Sequence, residues 1–332
     1  MSTNRAKMSV DESVHIIMVT WNALAYTKIA LESLFKYTDV PYCLTIVDNG
    51  SKDETLDYLD RLSTPDFCLK FSLIANHKNL GYGNAIVQGD ERVKSQYVCV
   101  VNNDVMFSPK WLQGLLRAIG EDPLIGILGP LRPAPWCKHP YSDESTDGVL
   151  EKLNDDLPPL QELSAYCLGK DYDTFVKDVR KINDFGLKYF SGPPIHIVTC
   201  CALLRREIVD KVGGLADLDY KTFGAEDTDL SWRISAHGYK LVVTSGVYVH
   251  HFKHKSSDEN NLNRKKFCRV NNEVFYQKWK SVIKSFLNKE IQNGIDVKKL
   301  MSDEAYYEYW FLRRLKENIG NKRFWEGVSL TD

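Results

Sequence analysis

The sequence has no Cys-x-x-Cys pair, no apolar run long enough to cross a membrane and almost no net charge. Without a Cys-x-x-Cys pair, the chain lacks the cysteine spacing that is typical of zinc sites and redox motifs. Several of the eight cysteines lie in apolar runs, where a reduced thiol packs like a small hydrophobic side chain. No run approaches the ~18–20 apolar residues of a membrane span, and the polar N-terminus lacks the apolar segment of a secretory signal. We therefore expect a cytoplasmic protein that is at most peripheral to a membrane.

The charge balance argues against a general affinity for polyanions. With a formal net charge of -1 at pH 7, the chain exerts no overall attraction on nucleic acid, so we expect no nucleic-acid partner. An anionic ligand must then be bound by a local site. A hydrophobic content of 43% with 26% charged residues is typical of a globular protein that buries a core.

Short β-branched runs alternate with helix-like segments up to residue 131. The strand-like runs are 15–20, 43–47, 69–75, 97–101 and 125–128, and the helix-like segments are 26–37, 53–62, 83–94 and 109–120. Ser108 and Pro109 are typical of a capped helix start. This alternation predicts a doubly wound, mostly parallel α/β sheet with helices on both faces. Ligands of such sheets bind at the carboxyl ends of the strands.

Polar clusters follow the first two predicted strands. The first is Thr20-Trp21-Asn22. A lone Trp is more often part of a core, but here a polar turn follows it, which favours a platform for a base. The second cluster begins with Asp48 and Asn49. It is either a turn with a helix N-cap, or it places a carboxylate where it can accept from a base N–H or a ribose hydroxyl.

A third and a fourth cluster follow the next two strands. Glycine-rich residues 79–84 open a helix, which lets backbone N–H groups approach a ligand, although any tight turn uses glycines. In the fourth cluster an apolar strand ends in Asn102, Asn103 and Asp104. This pattern is typical either of a strand-ending Asx turn or of a divalent-metal site, because Mg²⁺ takes one or two carboxylates together with substrate phosphates and water.

Two later segments carry further titratable groups. Glu226 and Asp227 open a predicted helix, where the helix dipole favours acidic residues whatever their function. His250 and His251 follow the last predicted strand in a segment rich in His and Lys, a common solvated feature. Because successive strand residues face opposite sides, only one of the two histidines can face a site.

Together these segments resemble the family 2 inverting glycosyltransferases, which adopt the GT-A fold. The resemblance extends over 14–256 and rests on the motifs V-T-W-N, V-D-N-G-S-x-D, N-x-G-x-G, N-N-D-V and G-A-E-D-T-D-L-S-W-R. It implies transfer of a sugar from a UDP-, dTDP- or GDP-sugar to a hydroxyl group of a glycan, lipid-linked or other acceptor. The implied cofactor is Mn²⁺ or Mg²⁺.

The resemblance also implies roles for individual residues. Asp227 would be the general base, and Glu226 would orient the acceptor. Asp104 would be the last residue of the D-x-D metal motif, although Asn102 stands where the first Asp usually is. His251, favoured over His250, would bind the metal or the diphosphate. The implied donor-binding residues are Thr20, Trp21, Asn22, Asp48, Asn49, Asn79, Gly81, Asn84, Asn102 and Asn103.

On this basis the expected fold is GT-A with an inserted loop region and a C-terminal helical extension. The five parts are a flexible N-terminus (1–12), a nucleotide-sugar-binding half (13–131), an insertion near the acceptor site (132–194), an acceptor and catalytic half (195–258) and a helical extension (259–332). We expect one helix in the insertion, over 171–183, and an acidic patch at Asp155 and Asp156. The aromatic and arginine-rich stretch 306–314 either packs on the domain or mediates an oligomer or membrane contact.

Two other functions compete with glycosyl transfer. A sugar nucleotidyltransferase would normally carry a glycine- and Arg/Lys-rich loop after the first strand, whereas this chain has Trp21-Asn22-Ala23-Leu24 there. A non-catalytic nucleotide- or glycan-binding protein on the same scaffold is compatible with Asn102 in the metal motif. The pair Glu226-Asp227 favours an enzyme over that alternative.

Overall fold

A mostly parallel central sheet organises the computed structural model, which describes residues 13–92, 94–153, 157–190, 192–260, 262–303 and 306–330. The expected flexible segment 1–12 and the acidic patch at Asp155 and Asp156 lie outside these residues. Within them the sheet has eight strands, in the order β3-β2-β1-β4-β8-β6-β9-β7. The strands are β1 (Val14–Thr20), β2 (Tyr42–Asp48), β3 (Cys68–Ala75), β4 (Tyr97–Asn102), β5 (Val105–Met106), β6 (Ile125–Leu131), β7 (Leu187–Phe190), β8 (Cys201–Arg205), β9 (Lys240–Tyr248) and β10 (His250–His251).

Strand register brings the predicted polar clusters together. β1 pairs in parallel with both β2 and β4, so that Thr20 lies opposite Asp48 and Val19 lies opposite Asn102. The carboxyl ends of the three strands therefore meet at one edge of the sheet. Outside the main sheet, β10 pairs antiparallel with β5, and this pairing sets His251 opposite Val105, the residue after Asp104.

Helices cover both faces of the sheet. All seven residues of β1 are buried, and they alternate between two clusters: Ile16 packs on one side of the sheet and Ile17 on the other. The doubly wound α/β prediction is thereby confirmed. The helices are α1 (Leu24–Tyr37), α2 (Thr55–Asp60), α3 (Tyr82–Asp90), α4 (Trp111–Gly120), α5 (Thr146–Glu151), α6 (Pro159–Tyr166), α7 (Tyr172–Ile182), α8 (Arg206–Lys211), α9 (Glu226–Ala236), α10 (Lys255–Glu259), α11 (Arg264–Gln292), α12 (Val297–Leu300), α13 (Trp310–Ile319) and α14 (Asn321–Trp325), with a 3₁₀ turn at Tyr307–Tyr309.

The insertion contains more regular structure than the one helix expected from the sequence. Besides α7, it forms α5, α6 and strand β7, which adds to the edge of the main sheet. Tyr166 and Phe175 of this region pack against Tyr248 at the end of β9. Two of the helices were missed because they span only six and eight residues, too few for a clear apolar period. Pro159 in the first turn of α6 was the available signal.

Three local predictions are wrong. The apolar residues of 196–204 predict a strand and those of 241–249 a strand pair, but the first strand begins only at Cys201 and the second segment forms one strand. The cap expected at Ser108 does not form, because α4 begins at Trp111 after Lys110, which has a left-handed backbone conformation. In each case the bounds shift by a few residues, as is usual where local propensity competes with tertiary packing.

The C-terminal helices pack on the domain through a hydrophobic cluster of their own. Phe311, Leu312 and Leu315 of α13 are buried, and Phe275 of α11 contacts the Trp232 ring of α9. None of the helices in the described part of the chain is long and apolar enough to cross a membrane. An oligomer or membrane contact through 306–314 stays a prediction.

Close packing of α3 on the sheet yields a stability prediction. A Cβ added at Gly89 would lie 2.6 Å from Ile17 Cγ2 and 3.2 Å from Val47 Cγ2, both in the core. We expect Gly89→Ala to lower the free energy of unfolding by about 1–3 kcal/mol, because the helix must move off the sheet. Gly120→Ala is the matched control, since nothing lies within 4 Å of its Cβ position. Urea unfolding of both variants tests this, and equal stabilities would contradict it.

Candidate active site

A cavity of about 600 Å³ opens at the carboxyl edge of the sheet, a size typical of ligand sites. It joins the strand ends to the start of α9 and to the C-terminal helices. The sequence-predicted residues that line it are Trp21, Asn49, Asn79, Gly81, Asn102, Asn103, Asp104, Glu226, Asp227 and His251. Residues from six separate segments of the sequence therefore share one cavity, as the strand-end argument requires.

Asp104 and His251 form a close, buried pair in this cavity. Oδ1 of Asp104 lies 3.2 Å from Nε2 of His251, and the Asn102 side-chain nitrogen lies 3.4 Å from the same His atom. Burial by itself would raise the pKa of Asp104, but the neighbouring His251 brings it below its ordinary value. Burial likewise opposes charge on His251, yet the Asp104 carboxylate raises its pKa to about 10. Each group thus favours the charged form of the other.

The chemistry of this pair fits a divalent cation. Nδ1 of His251 is buried without a hydrogen-bond partner, and Oδ1 of Asp104 has none beyond its ion pair with His251, which is costly unless a ligand completes them. The described ranges contain no group of three or more His, Cys, Asp or Glu side chains that could hold a metal. Two protein ligands leave the other coordination positions to ligand oxygens and water, the usual arrangement for Mg²⁺ with phosphates.

His250 does not reach the cavity. Its ring is buried against Tyr166 and Phe252, with ring centroids 4.4 Å and 4.5 Å away. Burial, together with the neighbouring His251, lowers the pKa of His250 to about 3, so it is neutral in the core. The second candidate metal ligand is therefore corrected to a core residue. The alternation of side chains along a strand accounts for the difference between the two histidines.

Asp48 closes a turn instead of facing the cavity. Its carboxylate accepts from the backbone N–H groups of Gly50 and Ser51 and from the Ser51 hydroxyl, and the residue is buried. Asp48 does not line the cavity, contrary to the expected contact with a base or ribose. A carboxylate at the end of a strand commonly forms such an Asx turn, because two free N–H groups follow it.

Three further predicted donor residues shape the loops around the cavity. Thr20 and Thr27 both accept from the Asn103 amide, which orients that side chain. Asn22 accepts from Lys52 N at 2.6 Å and so ties the loop after β1 to the loop after β2. Asn84 donates to the carbonyl of Leu80. The structure therefore places Thr20, Asn22 and Asn84 behind the cavity wall, where they position residues that line it.

The backbone at residue 81, just before α3, requires a glycine. Its φ is +88°, and an added Cβ would lie 2.8 Å from the carbonyl oxygen of Lys221. The loop around Lys221 lines the same cavity. A glycine here lets two loops approach each other and leaves the backbone accessible at the cavity wall.

Glu226 and Asp227 begin α9 and line the same cavity. Asp227 is partly exposed to the cavity, and its Oδ1 accepts from Thr228 N at 2.8 Å. Glu226 is 7% exposed, and its Oε2 has no hydrogen-bond partner. Burial, and then the Asp227 carboxylate, raise the pKa of Glu226 to about 7. Burial thus favours the protonated form of Glu226 up to about neutral pH.

Asp229, the third acidic residue of this segment, has a structural role. It accepts from Arg233 on α9 and from Trp279 on α11, at 2.7 Å and 2.8 Å. Lys278 lies 2.8 Å from the same carboxylate. Asp229 therefore braces α9 against α11, which fixes the direction in which the preceding acidic pair faces.

The raised pKa of Glu226 predicts a pH-dependent stability difference. Because the folded-state pKa lies above the unfolded value, ionisation of Glu226 destabilises the folded protein as the pH rises from about 4.5 through 7. We expect Glu226→Gln to match the wild type in free energy of unfolding near pH 4.5 and to exceed it by about 2–4 kcal/mol at pH 8.5. Urea unfolding at both pH values tests this. A difference that does not change with pH would contradict it.

Sequence reasoning missed several residues of the cavity. Arg132 and His196 lie at its wall, as do Tyr307, Trp310, Phe311 and Arg314 from the C-terminal region. The aromatics at 306–314 favour packing on the domain over an oligomer or membrane contact, and they do not by themselves indicate a place in the cavity. No local signal placed that segment opposite Asp227, because its position depends on how α11 crosses the domain.

Residues 15–213, more than half of the chain, match the family model described as Glycosyl transferase family 2. The chain belongs to this family. Among relatives of this family 2 glycosyltransferase is the N-acetylglucosaminyl-diphospho-decaprenol L-rhamnosyltransferase of Mycobacterium tuberculosis, 25% identical over 258 residues, which are 73% of this chain and 76% of the relative. Another is the validoxylamine A glucosyltransferase of Streptomyces hygroscopicus subsp. limoneus, 23% identical over 302 residues, or 87% of this chain and 62% of the relative.

Solved structures confirm the GT-A fold of this glycosyltransferase. The mannosyltransferase PcManGT from Pyrobaculum calidifontis, in complex with GDP-Man and Mn²⁺, gives a TM-score of 0.52 at 14% identity and covers 92% of this chain and 73% of its own. S. aureus TarS, in complex with UDP-GlcNAc, gives a TM-score of 0.55 at 14% identity, with coverages of 95% and 81%. At this identity the likeness concerns the fold alone.

Proposed function

We propose that this glycosyltransferase moves a sugar from a nucleoside-diphosphate sugar to an acceptor hydroxyl with inversion at the anomeric carbon, using Asp227 as the general base. The observation that carries the proposal is the single cavity that contains both the Asp104–His251 pair and Asp227. A donor diphosphate at the first and an acceptor at the second would meet within that cavity.

The donor end of the cavity suits a nucleotide. Trp21 supplies an aromatic surface for a base, and Asn49 and Asn79, which are hydrogen-bonded to each other at 3.0 Å, supply amide groups beside it. The solved neighbours bind GDP-Man and UDP-GlcNAc. A UDP-, dTDP- or GDP-sugar is accordingly the proposed donor.

Asp104 and His251 are the proposed residues for Mn²⁺ or Mg²⁺. The PcManGT neighbour binds Mn²⁺, and Asp104 Oδ1, which has no partner beyond His251, supports a cation at this end of the cavity. When bound, such a cation neutralises negative charge on the leaving diphosphate. Asn102 and Asn103 are uncharged, so they add no charge to this pair.

Asp227 is suited to accept the acceptor proton. It lines the same cavity as the Asp104–His251 pair, and an acceptor oxygen held beside it would attack the anomeric carbon from the face away from a diphosphate held by that pair. One such displacement inverts the anomeric centre. Glu226, whose pKa is raised by burial, can in its protonated form donate a hydrogen bond to the acceptor.

The acceptor is proposed to be a hydroxyl group on a sugar. The name of the M. tuberculosis relative describes transfer to a sugar carried on a decaprenyl diphosphate, and the name of the Streptomyces relative describes transfer to validoxylamine A. A glycan or lipid-linked glycan is thus the leading acceptor class for this chain.

Nucleotide binding and product stereochemistry test the proposal. We expect one of UDP, dTDP and GDP to raise the melting temperature, and to do so only with Mn²⁺ or Mg²⁺ present. The sugar nucleotides of that base are then incubated with a glycan mixture, and the anomeric configuration of the product is read by NMR. Retention of configuration would contradict the single displacement. Metal-dependent nucleotide binding without any transfer would favour the non-catalytic binding protein, and no binding at all would contradict the donor site.

A further inference from the structure

A second cavity, of about 340 Å³, adjoins the active cavity. Neither Asp104 nor His251 lines it. Six residues line both cavities and form the neck between them: Arg132, His196, Val198, Tyr307, Trp310 and Phe311. Its volume is at the lower end of the range of about 300–1,000 Å³ for ligand pockets.

The neck lies next to the proposed general base. The Asp227 carboxylate is close enough to Arg132 and to His196 to act on the charge of both side chains. A molecule that extends from Asp227 through the neck therefore enters the second cavity. Since the donor diphosphate is placed at the other end of the active cavity, that molecule is the acceptor.

The lining of the second cavity combines aromatic faces with charged groups. Trp136 comes from the insertion, Phe190 from β7 and Trp310 from α13, while Lys188 and Glu308 contribute charges. The Lys188 ammonium lies 5.9 Å from the Trp136 ring centroid and 5.3 Å from that of Phe190. A pyranose ring has C–H groups on its faces and hydroxyl groups around its edge, so it can pack on such rings and bond to the charges at once.

A hydrocarbon occupant fits this lining less well. Arg132 is largely enclosed, and of its five N–H groups one donates to the Pro133 carbonyl and another is available to the Tyr307 hydroxyl. Filling the cavity with an alkyl chain would remove water from Arg132 and from Lys188 without replacing its hydrogen bonds, which is costly. The hydroxyl groups of a sugar can replace the hydrogen bonds that water makes to these two side chains.

We infer that the second cavity binds the sugar unit next to the reacting one, so that the acceptor is an oligosaccharide chain of at least two units. This inference rests on the proposed function, because it takes Asp227 as the point at which the acceptor is activated. The insertion and the C-terminal region then select the acceptor together, since each contributes a Trp to the same cavity.

Glycan binding to the full chain, saturated with its nucleoside diphosphate and Mn²⁺, tests the inference on an array of mono-, di- and trisaccharides. We expect binding of at least one di- or trisaccharide, with affinity at least about tenfold above that for its terminal monosaccharide. Trp136→Ala should weaken that binding at least about tenfold, as the loss of a central aromatic contact does. Lys188→Ala, a surface change, should weaken it in the same direction.

Tyr189→Ala is the matched control for these variants. Tyr189 lies on β7 between Lys188 and Phe190 but faces the other side of the strand, and it is 46% exposed. Its variant should bind the glycan within about twofold of the wild type. Melting temperature and nucleotide affinity are measured for all variants, so that a folding defect is recognised. If one of Trp136→Ala and Lys188→Ala is misfolded, the other tests the inference.

The outcomes separate this inference from the proposed function. If the nucleotide binds but no glycan does, or if the monosaccharide binds as well as the longer chain, the inference is overturned and the donor site stands. Unchanged glycan affinity in Trp136→Ala and Lys188→Ala would also overturn it. If the wild type binds no nucleotide, the proposed function fails first and the inference loses its basis.

Discussion

Replacing Asp227 by Asn is expected to lower kcat for sugar transfer by about 10²–10⁴-fold, the range that general-base catalysis contributes. The amide keeps the size of the side chain and can still accept from Thr228 N, so α9 should begin at the same residue. What the variant loses is the basic oxygen that takes the acceptor proton. KM for the donor should change little, because the Asp104–His251 end of the cavity is untouched.

The measurement is steady-state transfer by the wild type, Asp227→Asn and the control Asp219→Asn. Asp219 is an exposed carboxylate outside the cavity lining, so its variant tests for a general effect of losing one negative charge. Nucleotide affinity and melting temperature are recorded for all three. Activity of Asp227→Asn within tenfold of the wild type would remove Asp227 from the role of base. An equal loss of nucleotide affinity would indicate a structural role instead.

The Asp104→Asn variant is expected to lose the metal-dependent part of nucleotide binding. Asn has the same shape, but it lacks the charge that attracts a divalent cation and leaves His251 as a lone neutral ligand. The loss should exceed the about 10–100-fold in metal affinity that follows removal of an outer-shell partner, because here a direct ligand is changed. Residual nucleotide binding through the base should no longer respond to Mn²⁺.

Calorimetric titration of the nucleoside diphosphate, with Mn²⁺ and with a chelator, measures this effect. Asp60→Asn is the control, since Asp60 is exposed at the end of α2. It should keep the full difference between the two conditions. If Asp104→Asn keeps that difference as well, the cation is held elsewhere and the role proposed for the pair is wrong.

Much of the scaffold could be predicted because its signals are local. The five strands predicted before residue 131 all occur, with ends within three residues of the predicted ones. Their apolar runs and the polar residues that follow them are short-range features, and parallel strands covered on both faces leave little freedom in their arrangement. Asp104 and Asp227 were found for the same reason, since each lies at the end or start of a regular element.

Long-range pairings could not be predicted in the same way. β8 inserts antiparallel between β4 and β6, and β7 returns from the insertion to the sheet edge next to β9. These contacts join segments far apart in the sequence, and no short pattern encodes them. The wrong start of β8 shares this origin, whereas α5 and α6 were missed because they are short.

The sequence by itself determined that the chain forms a doubly wound sheet with polar residues at its strand ends, because strand and helix propensities act over a few residues. Only the tertiary structure decided which of those residues share a cavity. The pairing of β10 with β5 turns His251 toward Asp104 and His250 into the core, and an Asx turn keeps Asp48 out of the cavity. The tertiary structure also brings Trp136 and Trp310 together at the second cavity. The packing of the C-terminal helices on α9 fixes where Trp310 lies relative to Trp136.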